Sequence, residues 1–145
     1  MYRRVASVLL ILALVGSLSA CAPKAPAEIK IGVNAELTGG IPVVGASCKN
    51  AAEMAVKEVN DAGGLEVGGK KYKIVLQVED NEDKAESAAA VAQKLNTAGV
   101  LVHIGANASR NAIPASTVCE DAKLPMISPW STNPYTTLRR PWVFR

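Results

Sequence analysis

Apolar runs too short for helices alternate along this chain with segments of helical period, and that alternation limits the fold more than any other feature. Residues 29–33 alternate as a strand, and residues 73–78 are rich in Ile and Val. Residues 100–104 are almost continuously apolar, as a strand covered on both faces requires. Between the first two runs, Ala52, Ala55, Val56 and Val59 fall on one helical face, with Glu53 and Lys57 paired four apart on another. Ala88, Val91, Ala92 and Leu95 mark a second helix, with Asp83 as its cap and Gly99 as its stop. Ala115, Val118, Cys119 and Ala122 mark a third, with Pro114 in its first turn. Short strands are expected at 126–127 and 143–144. The series predicts an α/β fold, a doubly wound parallel sheet with helices on both faces. Ligands in such sheets lie at the carboxyl ends of the strands. Three loops leave those ends, at 34–45, 105–110 and 128–134.

The first residues have a different purpose. Arg3 and Arg4 precede an apolar run over 5–18, and the small residues Ser19 and Ala20 follow. That order is a secretory signal, and the run is shorter than the ~20 residues a membrane span needs. Leu18-Ser19-Ala20-Cys21 resembles the lipobox of bacterial lipoproteins, which implies cleavage before Cys21 and acylation of its thiol. The chain thus divides into a signal peptide (1–20), a lipid-anchored Pro/Ala tether (21–28) and a folded body (29–145). The expected location is the cell envelope, outside the cytoplasmic membrane. Removing Arg3 and Arg4 takes the net charge from +3 to +1, which leaves no electrostatic footprint for nucleic acid.

Most other motifs dissolve on inspection. Residues 64–71 approach a phosphate-binding loop, but Lys71 stands where the magnesium-holding Ser or Thr should be, so a glycine turn between helix and strand is the better reading. No dinucleotide-binding glycine pattern follows the first strand. Asp80, Asn81, Glu82 and Asp83 lack the turn glycine of a calcium loop, since Ala85 occupies its place. The single histidine, His103, lies in an apolar strand and reads as core. Cys48 and Cys119 sit on helices expected to cover opposite faces of the sheet, so they are not expected to pair. Neither metal nor cofactor is expected. Ser109 is harder to dismiss, because it stands just before a helix N-terminus, where backbone N–H groups favour a carboxylate. Trp130, Ser131 and Thr132 gather at a strand end.

Taken in order, these residues resemble the solute-binding proteins of branched-chain amino acid ABC transporters, of the type I periplasmic-binding-protein fold. The matching segments include Ile29-Lys30-Ile31-Gly32, Thr38-Gly39, Asn50-Ala51-Ala52-Glu53-Met54-Ala55-Val56, Val102-His103-Ile104-Gly105, Pro125-Met126-Ile127-Ser128-Pro129 and Ser131-Thr132-Asn133-Pro134. The resemblance implies a receptor, not an enzyme, that passes a branched-chain amino acid or similar small amino-acid or amide ligand to an ABC transporter permease. It places the ligand's backbone groups on Ser109, on Trp130 through main-chain atoms, and on Thr132, with Ser131 adjacent. It also implies two lobes that close on the ligand, of which residues 29–145 form an incomplete first lobe. The same fold serves as the sensing domain of receptors and regulators, and an exported α/β enzyme is the more distant alternative. Trp130, Tyr135, Trp142 and Phe144, four of the six aromatic residues, crowd the last sixteen positions and are expected to lie bare.

Overall fold

The computed structural model describes residues 27–145, so the signal sequence and Cys21 lie outside the described residues. Six strands form one sheet in the order β2-β3-β1-β4-β5-β6. They are β1 (Ala27–Ala35), β2 (Leu65–Val67), β3 (Lys70–Asp80), β4 (Val102–Ile104), β5 (Met126–Ile127) and β6 (Val143–Phe144). The helices are α1 (Pro42–Asp61), α2 (Ala85–Thr97) and α3 (Ser109–Asp121), with a 3₁₀ turn at Pro134–Thr136. β1, β3, β4, β5 and β6 run parallel, as the alternation predicts.

Alternating side chains of β1 serve the two faces of the sheet. Val33 stands between Val78 of β3 and Ile104 of β4, and with Ala35 and Ala52 it forms the core beneath α1. On the other face α2 and α3 pack together, where Ala88, Ala92, Ala112, Ala115 and Cys119 meet Met126 and Val143. Alanines at that seam let the two helices approach closely. Helix α1 and helix α3 therefore cover opposite faces, and Cys48 and Cys119 are both free thiols.

Several boundaries move. β1 begins at Ala27, so the last two residues of the predicted tether, Ala27 and Glu28, pair with Tyr72 and Lys73. α1 begins at Pro42, ten residues before its first apolar repeat, because proline fits an N1 position and Gly45 fits against the end of β1. A Cβ on Gly45 would lie 2.1 Å from the Glu36 carbonyl oxygen. The glycine stretch expected as a plain turn carries β2, a three-residue strand that pairs antiparallel with β3. Pro114 is the sixth residue of α3 and not in its first turn, so its missing N–H leaves the Arg110 carbonyl without its helical donor. Asp83 caps nothing: the α2 N-cap is Lys84, with no side-chain capping bond. Asp83 is turned elsewhere by a left-handed backbone (φ 58°), and its side chain holds the carboxyl end of the sheet together.

Candidate functional site

The carboxyl ends of β1, β3 and β4 converge on one buried carboxylate. Glu36 follows β1 and is 0% exposed. Its Oε1 accepts the backbone N–H groups of Asn107 and Ala108, both at 3.1 Å, and the Asn111 amide at 3.0 Å. Its Oε2 accepts the Asn107 amide at 2.7 Å. Four N–H groups at the start of α3 thus replace the water that burial takes from the carboxylate. The Asn111 amide also donates to Asp83 at 2.9 Å, and Asp83 further accepts Gly40 N–H and the Arg110 guanidinium. Burial pushes the Asp83 carboxyl up, but Arg110, Asn111 and Gly40 outweigh it and hold the group below the ordinary carboxylate range. At the end of β3, burial likewise opposes Asp80, while hydrogen bonds from Thr38, Glu82 and Leu37 lower it overall. Buried Asn34 completes the frame, donating to the Ala88 carbonyl and accepting from Asn81.

The frame fixes where α3 begins. Gly105, with φ at 83°, passes so near β1 that a Cβ there would lie 2.1 Å from the Asn34 carbonyl oxygen. Ala108 is the N-cap and Ser109 the first helical residue, so the helix starts one position earlier than the sequence suggests. The N–H groups of Asn107 and Ala108 are committed to Glu36, leaving those of Ser109 and Arg110 at the helix start.

Ser109, Ser131 and Thr132 come together here, with Trp130 beside them. Thr136 and Ser131 share a hydrogen bond of 2.6 Å, and Ser131 donates to the Ser109 Oγ at 3.1 Å. The Asn133 N–H also reaches that Oγ, at 3.3 Å. With two donors filling its lone pairs, the Ser109 hydroxyl has its proton to offer outward. Ser131 is buried, and both its bonds are internal. Its placement is that of a strut behind Ser109. Thr132 is exposed, and its carbonyl accepts the Arg145 guanidinium at 3.1 Å. Ser109, Arg110, Trp130 and Thr132 line an open cleft of about 360 Å³. A second cleft of about 320 Å³, between α1 and Trp130, is lined by Val43, Val44, Ser47, Cys48 and Asn107. Trp130 is 55% exposed and forms a wall of both.

His103 is set apart from these clefts, whereas Cys48 lines the second. His103 is buried, its Nε2 lies 2.6 Å from the Asn96 amide oxygen, and burial pushes its pKa down to about 4. Burial raises the Cys48 thiol, the Glu36 charge adds to the rise, and the Asn107 amide opposes it. Among the described residues no group of three or more His, Cys, Asp or Glu could hold a metal ion.

A buried frame of this kind has known relatives. The family model described as periplasmic binding protein matches residues 28–145. The chain belongs to that family. It is 37% identical over 126 residues to the Leu/Ile/Val-binding protein BraC3 of Rhizobium johnstonii, a match that covers 87% of this chain and 33% of that protein. Among solved structures it is similar to the branched-chain amino acid transporter substrate binding protein LivJ of Streptococcus pneumoniae, in complex with isoleucine (TM-score 0.74, 31% identity, 81% of this chain and 33% of that one). It is also similar to an ABC transporter substrate-binding protein of Desulfitobacterium hafniense in complex with Leu (TM-score 0.65, 34% identity, 81% and 33%). The chain spans about a third of the length of these periplasmic binding proteins.

The sequence reading missed Glu36. A glutamate after a strand looks like loop polarity, and only the three donor residues Asn107, Ala108 and Asn111, more than seventy positions away, reveal its burial. Asn107 and Asn111 around the start of α3 were the available signal, since asparagine side chains are donors a buried carboxylate needs.

Proposed function

We propose that this chain is the first lobe of an extracytoplasmic receptor that captures a small amino acid, of the branched-chain or a similar class, for an ABC importer. A second lobe closes over the clefts. The observation that carries the reading is the ordered hydroxyl chain from Thr136 through Ser131 to Ser109, which leaves the Ser109 O–H to donate at the start of α3. A ligand carboxylate meets that hydroxyl, the two remaining N–H groups and the positive end of the helix dipole. The ligand ammonium is met by the main-chain carbonyl of Trp130 and the hydroxyl of Thr132, with an acid of the second lobe supplying opposite charge. Family relatives that carry amino-acid ligands support this reading.

Calorimetric titration of the two-lobed protein against a panel of amino acids and amides tests it. One lost hydrogen bond to a charged group costs ~1.5–3 kcal/mol, or roughly ten- to a hundredfold in affinity. Ser109→Ala and Thr132→Ala should each show that loss, while exposed Lys94→Ala should not. Parental affinity in both site variants would move the site elsewhere. We further propose that the thiol of Cys21 carries the lipid that keeps the receptor beside its transporter, since two or more chains anchor durably. Cys21→Ala should abolish incorporation of labelled lipid, and undiminished labelling of that variant removes the anchor from the account.

A further inference from the structure

We infer that the cleft between α1 and Trp130 selects ligands whose side chain carries a neutral hydrogen-bond donor, a carboxamide or hydroxyl, over purely aliphatic ones of the same shape. The inference rests on the amino-acid-receptor reading and names the side-chain class that reading leaves open. Asn107 decides it. The residue is 1% exposed and belongs to the wall of this cleft. Its amide orientation is not free: the Glu36 carboxylate can only accept, so the Asn107 NH₂ must face it, as the 2.7 Å bond to Oε2 requires. The amide oxygen is therefore the end turned away from Glu36. Among the described residues that oxygen is buried and has no hydrogen-bond partner. An orphaned buried carbonyl is rare in native proteins and calls for an explanation at a functional site.

The neighbouring polar groups have the same preference. The Ser47 hydroxyl spends its proton on the Val43 carbonyl at 2.8 Å, leaving only lone pairs to offer. Cys48 contributes a thiol, which is a weak donor at best. The groups beside Asn107 thus offer acceptors, while Val43, Val44 and the Trp130 ring supply apolar contact around them and the Trp130 indole carries an N–H donor. Among the described residues no acidic side chain lines the cleft, and Glu36 behind it is already met by four N–H groups, so a cation has no partner of opposite charge there. Asn107 stands two residues before Ser109, and Trp130 borders both clefts. An amino acid held at Ser109 by its carboxylate can thus place its side chain toward Asn107. A site built to accept a donor discriminates strongly against the analogue that lacks one, because the analogue leaves a buried group unpaired.

The test compares near-isosteric pairs on the two-lobed protein by calorimetry: asparagine against leucine, and homoserine against norvaline. The donor-bearing member of each pair should bind at least about tenfold more tightly, and Asn107→Leu should reverse the order. If the variant does not fold, the parental order decides alone. Tighter binding of leucine and norvaline by the parent overturns the inference, and so does a preference for lysine or ornithine over asparagine. Either result leaves the receptor reading intact, provided Ser109→Ala still weakens binding. Absence of binding by every amino acid would sink the receptor reading itself, and this inference with it.

Discussion

Two regions at the carboxyl edge of the sheet treat their surfaces in opposite ways. Around Glu36 the chain buries polar groups and matches nearly every one: Asn34, Asn81, Asp83, Asn107 and Asn111 are tied to one another or to backbone. From β5 onward it leaves large apolar side chains in the open, with Trp130 at 55%, Tyr135 at 62% and Phe144 at 55% exposure. The first region is held by bonds from within the chain. The second has apolar surface left to cover. Polar burial therefore locates the rigid half of the site, and apolar exposure locates the half that meets something else.

The largest effect expected from this contrast is at Glu36. Glu36→Ala strands four N–H donors at the start of α3 and should cost the two-lobed protein about 3–5 kcal/mol in urea unfolding. A loss below about 1 kcal/mol would mean that the frame is decorative and the contrast false. Next comes acid. His103 is held neutral in the folded chain, with a pKa near 4 against 6.5 when free. Between those values the unfolded chain binds the extra proton, so stability is fully present above about pH 6.5 and is lost as pH falls toward 4. The loss is on the order of 3 kcal/mol. His103→Gln should flatten that window while leaving the deeper loss, from Asp80 and Asp83 below pH 4, in place. An unchanged pH profile would take His103 out of the acid response.

Smaller effects separate the two serine and threonine neighbours. Ser131→Ala breaks buried bonds to Ser109 and Thr136 and should lower stability by about 1–2 kcal/mol. Thr132→Ala, at an exposed position, should leave thermal unfolding unchanged while weakening the ligand. Equal stability loss in both would erase the distinction between strut and contact. Smallest of all is Phe144→Ser, expected to change stability by less than about 0.5 kcal/mol. Its effect belongs to solubility, and light scattering should show less self-association of the 145-residue chain.

The parallel sheet was legible because its strands are short apolar runs set between segments of helical period. Ala88, Ala92 and Leu95 are buried as their spacing predicts, and Met126 and Val143 lie in the core. Boundaries were less legible where backbone geometry, not side-chain pattern, decides them. Pro42 reads as loop until Gly45 is seen to pack on Glu36, and residues 65–67 read as turn because each of them is exposed. Asp83 has the composition of a cap and the left-handed backbone of something else. At the candidate site, Ser109 and Thr132 were visible as residue types near a helix start and a strand end. Glu36 and Asn107 were not, because neither local pattern nor charge signals a bond spanning seventy-one positions.

Gly45 and Gly105 pinch the end of β1 from two sides, each with space for a hydrogen and none for a methyl group. In the language of engineering, this makes the path of the main chain a fixed part and the side chains of Val43, Val44 and Ser47 the interchangeable ones. Someone recasting the protein as a sensor for a new metabolite can vary that helical turn freely. A library that also randomises the two glycines spends most of its members on chains that never assemble.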